Sequence, residues 1–262
     1  MNVLILCGGM GTRMREETEF KPKPLVDVGG KPILWHIMKT YAHFGLRRFV
    51  LCLGYKGEMI KDYFLNYEAM QRDCTVHLGA RHRVEYHGAH AEDEFAITLA
   101  ETGLHSMTGG RVRRAARYIE GDTFMVTYGD GVADIDIAKL LDFHRAHGKL
   151  ATISAHRPTS RFGVLNLSRE SAVKSFSEKP QLDGWASMGF FVFHRKVLDL
   201  LPDDQCVLER EPLEALASQG QLAAYKHEGF FFAMDTYREY KALNDLWDSG
   251  QAPWKVWKDH SA

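Results

Sequence analysis

The stretch MNVLILCGGMGTR, residues 1–13, decides how this chain is to be folded. Its apolar run from Val3 to Cys7 predicts a short buried strand, and glycines follow that strand at once. A glycine loop after a parallel strand lets the backbone approach a ligand, with its N–H groups directed at phosphate oxygens. Arg13 and Lys23 add positive charge beside the loop. The N-terminus therefore predicts a polyphosphate-binding site.

The glycine spacing differs from the two commoner nucleotide-binding signatures. A Rossmann turn has G-x-G-x-x-G opening a helix, and a P-loop has G-x-x-x-x-G-K-[ST]. Here Thr-Arg follows the third glycine, and a polar stretch that contains prolines, residues 15–24, is expected in place of an immediate helix. A Rossmann-type oxidoreductase would also need an acidic ribose ligand about 20 residues on, so the pattern disfavours that class.

The full string GGxGTR-x9-KPL, residues 8–25, resembles the sugar nucleotidyltransferase family. Its members join a nucleoside triphosphate to a sugar 1-phosphate and release pyrophosphate. Longer strings are similar to the branch of glucose-1-phosphate cytidylyltransferases, which uses CTP, and they run from residue 1 to about 257. They include GKPILWHIMK, GYKGEMIKDYF, SMTGGRVRR, TYGDGVADIDI, FSEKP, MDTYREY and GQAPWK.

Composition limits the other classes of protein. The chain has 262 residues, 45% of them hydrophobic, with 33 basic and 34 acidic residues and a net charge of −1. This balance argues against a nucleic-acid-binding or membrane-coating protein, so positive charge for an anionic substrate must be local. Four cysteines without a CxxC pair imply no disulfide framework. Without a signal peptide or a long apolar segment, we expect a cytoplasmic protein.

Alternating strands and helices predict an α/β fold with a doubly wound, mostly parallel sheet, which is Rossmann-like. The first half of the chain contains predicted helices at 32–44, 57–67, 110–119 and 136–147 and predicted strands at 48–53, 95–100 and 123–128. The polar, histidine-rich residues 68–93 predict an irregular insertion or flap. A zinc site there is disfavoured because His82, His87 and His90 are loosely spaced and no cysteine lies among them.

After residue 150 the pattern changes to short strand candidates, at 150–156, 162–167, 172–177 and 189–194. They predict an added, smaller mixed β portion that carries the sugar contacts. We expect one domain over 1–262, with 1–150 mainly for the nucleotide and 151–235 mainly for the sugar. Residues 236–262 are expected to form a C-terminal helix and a tail with exposed aromatic residues, a candidate oligomer contact. His144 and His147 are expected to act as cations in a last helical turn.

Two aspartates are the candidate metal ligands. Asp130 follows the apolar run FMVTYG, which places its carboxylate at the carboxyl edge of the sheet, where ligands bind in such folds. Asp235 lies just before the last long helix, and the alternative is that it only caps this helix. Together with a triphosphate loop, two carboxylates favour Mg²⁺, which prefers oxygen ligands and substrate phosphates.

The resemblance implies the remaining assignments. The partners are CTP and a sugar 1-phosphate, the cofactor is Mg²⁺ on Asp130 and Asp235, and the assembly is a homo-oligomer, with a hexamer as the candidate. Arg13, Lys23, Asp130 and Asp235 are the expected catalytic residues. The expected nucleotide-binding residues are Leu6, Cys7, Gly8, Gly9, Met10, Gly11, Thr12, Arg13, Lys23, Ser106, Arg111 and Gly129. The expected sugar-phosphate-binding residues are Lys179, Ser187, Met188 and Gly189.

The chain departs from the family pattern near the expected sugar. Ser187-Met188-Gly189 stands where Asn-Gly-Gly is usual, and 231–233 reads Phe-Phe-Ala where Trp-Gln-Pro is usual. The loss of hydroxyl-binding groups favours a less hydroxylated or modified sugar. Two further alternatives remain, a transferase for dTTP or UTP and a nucleotide-sensing regulatory subunit. The second is disfavoured because Arg13, Lys23 and both aspartates are present.

Overall fold

A seven-stranded sheet organises the computed structural model, which describes residues 1–11, 14–79, 83–90 and 92–258. The described helices are α1 (Arg15–Thr18), α2 (Ile33–His43), α3 (Gly57–Leu65), α4 (Tyr67–Gln71), α5 (Thr108–Ala115), α6 (Ile137–His147), α7 (Glu211–Ser218) and α8 (Tyr237–Asp248). The described strands are β1 (Asn2–Leu6), β2 (Asp27–Val28), β3 (Lys31–Pro32), β4 (Arg48–Leu53), β5 (Cys74–His77), β6 (Arg83–Tyr86), β7 (Ala96–Glu101), β8 (Thr123–Tyr128), β9 (Gly131–Ala133), β10 (Ala151–His156), β11 (Val164–Leu167), β12 (Val173–Ser177), β13 (Ala186–His194), β14 (Leu222–Lys226) and β15 (Phe231–Ala233).

The strand order in the main sheet is β14-β10-β13-β8-β1-β4-β7. Strands β8, β1, β4 and β7 run parallel to one another, and β10 is parallel to β14. Strand β13 alone is antiparallel to both of its neighbours, β10 and β8. The prediction of a doubly wound, mostly parallel α/β sheet is therefore confirmed.

Central parallel strands are covered on both faces, so their sequences are continuously apolar. All five residues of β1 are buried, and Val3 and Ile5 lie opposite Phe49 and Leu51 of β4. The carboxyl ends of β1, β4 and β8 meet at one edge of the sheet. In open α/β sheets that edge is where ligands bind.

Hydrophobic clusters cover the two faces of the sheet. One contains apolar side chains of α2, α3, α6 and α8, and the other those of α5 and α7. Among the described residues, every helix is too short or too polar to span a bilayer.

Local structure differs from the sequence-based expectations in three places. A one-turn helix, α1, follows the glycine loop, and the Thr18 hydroxyl donates to the carbonyls of Gly11 and Met14 and so closes that turn.

The described part of 68–93 is not irregular, since α4 is followed by the antiparallel hairpin of β5 and β6. Strands β10 and β13 belong to the main sheet, and only β11 and β12 form a separate ribbon in this region. The run from Phe190 to Phe193 is buried throughout, as a central strand requires.

The C-terminal tail is also corrected by the structure. Trp254 is fully buried and Trp257 nearly so, because they pack against α2 rather than facing solvent. The Trp254 indole N–H lies 3.3 Å from His36 Nδ1 of that helix. These aromatic residues therefore complete the core, and the prediction that they are exposed is wrong.

The two histidines at the end of α6 are likewise not cations at a helix end. His144 is buried, and its Nδ1 lies 2.8 Å from the Thr152 hydroxyl, which also lies 2.7 Å from His147 Nε2. Burial lowers the pKa of His144 to about 4, and the nearby His147 acts in the same direction. The imidazole is therefore neutral at physiological pH, as desolvation of the charged form requires.

Candidate active site

A cavity of about 340 Å³ opens at the carboxyl ends of β1 and β8. It brings together residues that are far apart in the chain. Its walls are Leu6, Cys7, Gly8, Gly9, Gly11, Lys23, Pro24, Ser106, Met107, Thr108, Arg111, Tyr128, Gly129, Asp130 and Asp235.

Backbone hydrogen bonds fix the glycine loop against β4. The Cys7 N–H donates to the Cys52 carbonyl at 3.0 Å, and the Tyr55 N–H donates to the Gly8 carbonyl at 3.3 Å. Gly11 has a φ of +61°, the left-handed region that favours glycine. The loop thus turns sharply away from β1 and leaves backbone at the cavity wall.

Arg111, on the first turns of α5, supports this loop from behind. Its Nη1 donates to the carbonyls of Leu53 and Gly103 and to the Thr102 hydroxyl, and its Nη2 donates to the carbonyls of Gly8 and Leu104. Burial lowers the pKa of the guanidinium from its usual value, although the group stays charged at any ordinary pH. Arg111 lines the cavity, but these donors already bond to the protein. Its contact with the nucleotide stays a prediction.

Glycine at 129 is required by a close approach of backbone to backbone. Its N–H donates to the Leu6 carbonyl at 3.1 Å, and a Cβ at this position would lie 2.9 Å from the same oxygen. Because no side chain intervenes, the carboxylate of Asp130 reaches the cavity directly after the end of β8.

Lys23 and the two aspartates form the charged centre of the cavity. The Lys23 ammonium donates to Asp130 Oδ2 at 2.5 Å and to Asp235 Oδ1 at 2.8 Å. Burial alone would lower the pKa of Lys23, but the two carboxylates, Asp130 first, raise it above its usual value. The ammonium is therefore charged, and it lies between two carboxylates that are 105 positions apart in the chain.

A small two-stranded sheet brings these carboxylates together. Strand β9 follows Asp130 directly, strand β15 ends just before Met234, and Gly131 lies opposite Ala233 in their antiparallel ladder. The Met234 N–H also donates to the Asp130 carbonyl at 2.9 Å. Asp235 does not cap α8 as the alternative supposed, because Thr236 occupies the N-cap position.

The donor set at this point suits a magnesium ion. Both side chains offer carboxylate oxygens, which are the hard ligands that Mg²⁺ takes from proteins, and both already surround a cation, the Lys23 ammonium. Asp130 and Asp235 are the residues that would hold the metal.

A second cavity, of about 700 Å³, adjoins the first, and Asp235 lines both. Four cationic side chains, Arg157, Arg161, Lys179 and Arg238, lie along its walls. Aromatic side chains from β15, Phe231 and Phe232, form another part of the lining. Positive charge beside apolar rings is suited to a ligand with a phosphate and a ring face.

Some predicted site residues lie elsewhere. Thr12 and Arg13 fall outside the described residues. Met10 is half exposed and, like Ser187 and Gly189, is not among the described residues that line either cavity. Met188 is buried in the hydrophobic core, 2% exposed, because it lies within the central strand β13. The sugar-binding roles of 187–189 stay predictions.

Other lining residues were missed by the sequence reasoning. Tyr128, which ends β8, was detectable as the residue before Gly-Asp. Glu239 was detectable from the spacing Thr-x-x-Glu at 236–239, which is a capping-box pattern. Arg161 carries no local signal, because its partner lies 78 positions away.

Comparisons with known proteins agree with this geometry. The family model described as nucleotidyl transferase matches residues 2–259. The glucose-1-phosphate cytidylyltransferase of Salmonella typhimurium is 51% identical over 260 residues, 98% of this chain and 100% of that protein. The probable glucose-1-phosphate cytidylyltransferase of Bacillus subtilis is 46% identical over 258 residues, 98% of this chain and 100% of that protein.

A solved structure supports the fold alone. The crystal structure of HddC from Yersinia pseudotuberculosis superimposes with a TM-score of 0.68 at 24% identity, covering 94% of this chain and 99% of that one. The family model spans nearly the whole chain, and full-length relatives are identical to it at about half of their positions. This chain belongs to the nucleotidyl transferase family.

Proposed function

We propose that this chain transfers the cytidylyl group of CTP to a sugar 1-phosphate, giving a CDP-sugar and pyrophosphate. The observation that carries the proposal is that a glycine-walled cavity and a cationic, aromatic cavity meet at Asp235. Lys23 and Asp130 lie at the same point. The choice of CTP is supported by the full-length relatives, which are cytidylyltransferases.

The reaction needs positioning more than proton transfer. The phosphate oxygen of the sugar 1-phosphate is an anion at neutral pH, and it attacks the α-phosphorus of CTP in line while pyrophosphate leaves. A general base is therefore not required. The main obstacle is the repulsion between two polyanions, which fixed positive charge offsets.

The proposed roles follow from where the residues lie. The backbone at Gly8, Gly9 and Gly11 cradles the triphosphate, and the Lys23 ammonium moves from the carboxylates onto its oxygens. Lys179 pairs with the phosphate of the sugar 1-phosphate. Mg²⁺ on Asp130 and Asp235 would supply positive charge to the phosphates as charge builds on the leaving group. The proposed role of Arg13 in binding the triphosphate and in catalysis rests on the sequence alone.

For the acceptor we propose α-D-glucose 1-phosphate, because the full-length relatives are glucose-1-phosphate cytidylyltransferases. Phe231 and Phe232 in the larger cavity offer apolar surface instead of hydroxyl-binding groups. They make a deoxy or otherwise modified sugar 1-phosphate the alternative acceptor.

Pyrophosphate release tests the whole proposal. CTP, UTP, dTTP and ATP are each combined with glucose 1-phosphate and with deoxy and modified analogues, in the presence of Mg²⁺. We expect the largest kcat/KM with CTP and glucose 1-phosphate. A preference for an analogue would overturn the acceptor, a preference for dTTP or UTP would overturn the base, and no release with any pair would overturn the reaction.

Three further assignments stay predictions. They are the division of the chain into a nucleotide part at 1–150 and a sugar part at 151–235, a cytoplasmic location and a homo-oligomeric assembly, with a hexamer as the candidate. Sedimentation of the purified chain measures the last of these directly.

A further inference from the structure

Residues 157–185, here called the acceptor segment, form one wall of the larger cavity and project from the main sheet. Every residue of β11 and β12 within it is exposed. Its polar groups bond mainly to one another. The Arg157 guanidinium pairs with Asp183 at 3.2 Å, and the Ser160 N–H donates to the Pro180 carbonyl at 2.9 Å. The segment is thus held together by its own hydrogen bonds and ion pair, while its two strands remain exposed to solvent.

A single ion pair ties the acceptor segment to the body of the protein. Arg161 Nη2 donates to Glu239 Oε1, on the first turn of α8, at 2.8 Å. Within the described ranges, no other hydrogen bond or ion pair leaves the segment, although the Lys226 ammonium lies 5.3 Å from the Trp185 ring centroid at its far end. The Glu239 side chain is only 16% exposed, so this end of the tether is fixed.

The second oxygen of the same carboxylate holds the candidate metal ligand. Glu239 Oε2 accepts from the Asp235 N–H at 2.8 Å and from the Thr236 N–H at 2.9 Å. Together with the Thr236 side chain it completes a capping box. In such a motif the glutamate satisfies backbone donors that the helix leaves free, so it fixes the backbone entering α8.

The tether also reaches Lys179. Arg161 follows Ser160, whose N–H is bonded to Pro180, the residue directly after Lys179. Lys179 itself has a φ of +45°, a left-handed conformation that an ordinary residue adopts only when its surroundings hold it there. Fixing Arg161 therefore limits where the Lys179 turn can lie relative to Asp235.

We propose that Glu239 is a positioning residue for the transfer reaction, because its two oxygens set the separation between Asp235 and Lys179. One oxygen holds the backbone of the metal-ligand candidate. The other holds the acceptor segment through Arg161. The inference rests on the proposed function, in which the two substrates meet between these residues, and a misplaced substrate loses rate steeply in such reactions.

Three variants and a control distinguish the roles of the two Glu239 carboxylate oxygens. Arg161→Met removes the tether alone. In Glu239→Gln the amide oxygen can still cap Asp235 and Thr236, but the amide nitrogen then faces Arg161, so the tether is lost and the cap is kept. Glu239→Ala removes both. Arg169→Met is the matched control, because it removes the same charge from the same segment, and Arg169 is exposed and does not line the larger cavity.

We expect KM for the sugar 1-phosphate to rise up to about fivefold in Arg161→Met and in Glu239→Gln, because the Arg161 side chain is 68% exposed and an exposed ion pair is weak. KM for CTP should stay within about twofold of wild type. The double variant Arg161→Met/Glu239→Gln should have a KM for the sugar 1-phosphate no higher than either single variant, since both substitutions remove the same interaction. Glu239→Ala should in addition lower the affinity for Mn²⁺, followed by electron paramagnetic resonance. An equal rise in Arg169→Met, or an unchanged KM in the tether variants, would overturn the proposal.

Hydrogen–deuterium exchange tests the tether without turnover. We expect faster exchange at 164–177 in Arg161→Met and Glu239→Gln than in wild type and Arg169→Met. Unchanged exchange would overturn the tether whatever the activity. If the wild-type chain releases no pyrophosphate with any substrate pair, the proposed function fails, and the exchange data still decide whether Glu239 holds the segment.

Discussion

Arg111→Met should destabilise the ligand-free protein, because the guanidinium of Arg111 bonds to four backbone carbonyls. They belong to Gly8, Leu53, Gly103 and Leu104, at donor–acceptor distances of 2.8–3.3 Å. The carbonyls of Gly8 and Leu53 keep the backbone N–H donors of Tyr55 and Thr102, so the substitution leaves those of Gly103 and Leu104 unsatisfied. At roughly 1 kcal/mol or more for each buried acceptor, the loss comes to about 2 kcal/mol. Methionine keeps much of the length of the side chain and donates no hydrogen bond.

The packing around Arg111 leaves no simple substitute. A Cβ on Gly8 would lie 2.1 Å from the guanidinium carbon, and one on Gly54 would lie 2.4 Å from Nη1, so both glycines accommodate this side chain. For a protein of this size, 1 kcal/mol shifts Tm by roughly 2–4 °C, and we therefore expect a loss of about 6 °C.

Thermal unfolding without ligands, followed by circular dichroism, measures this loss. Arg113→Met is the matched control, since Arg113 is exposed on the same helix and its loss should change Tm by no more than about 2 °C. Arg111→Lys should fall between the two, because one ammonium keeps the charge but cannot reach both sets of carbonyls. A Tm for Arg111→Met within 2 °C of wild type would refute the reasoning.

Three further predictions concern charge. Asp130→Asn should lower kcat by at least about a hundredfold with Tm unchanged, because an amide is a poor ligand for Mg²⁺, and near-native turnover would contradict the metal assignment. Lys23→Met should strengthen Mn²⁺ binding to the nucleotide-free protein about tenfold or more by removing a competing cation, and unchanged or weaker binding by electron paramagnetic resonance would contradict this. Burial lowers the pKa of His36 and of His144 to about 4, so the stability that each contributes is full above about pH 6.5 and is lost as the pH falls towards 4. At pH 5 each histidine should lower the free energy of unfolding by roughly 1–2 kcal/mol, and the decrease in Tm from pH 7.5 to pH 5 should be smaller in His144→Asn than in wild type. Equal Tm values at the two pH values, or an equal decrease in the variant, would contradict the assignment.

The sequence predicted the elements whose signals are local. An apolar run followed by glycines identified β1 and the loop after it, and apolar spacing located α2 and α6 within a few residues. Asp130 and Asp235 were paired by chemistry, and the ladder of β9 and β15 supplies the contact that the chemistry required.

Features that depend on distant partners were missed or misread. The burial of Trp254 depends on the surface of α2, more than 200 positions earlier, so a short aromatic tail reads as exposed. Met188 was expected at the sugar because of its neighbours in the sequence, but strand β13 turns its side chain into the core. The contact of Arg111 with the nucleotide stays a prediction, but its hydrogen bonds to surrounding carbonyls were missed because those carbonyls lie in other segments of the chain.

The acceptor segment contributes no side chain to either hydrophobic cluster that covers the main sheet. Substitutions there remove little of the burial that keeps the protein folded. Mutation can therefore alter the surface proposed to meet the sugar while the cavity proposed to hold the nucleotide stays intact. Duplicated genes for such an enzyme can therefore diverge towards new acceptors through substitutions confined to the acceptor segment. Selection for acceptor preference is then largely separate from selection for folding.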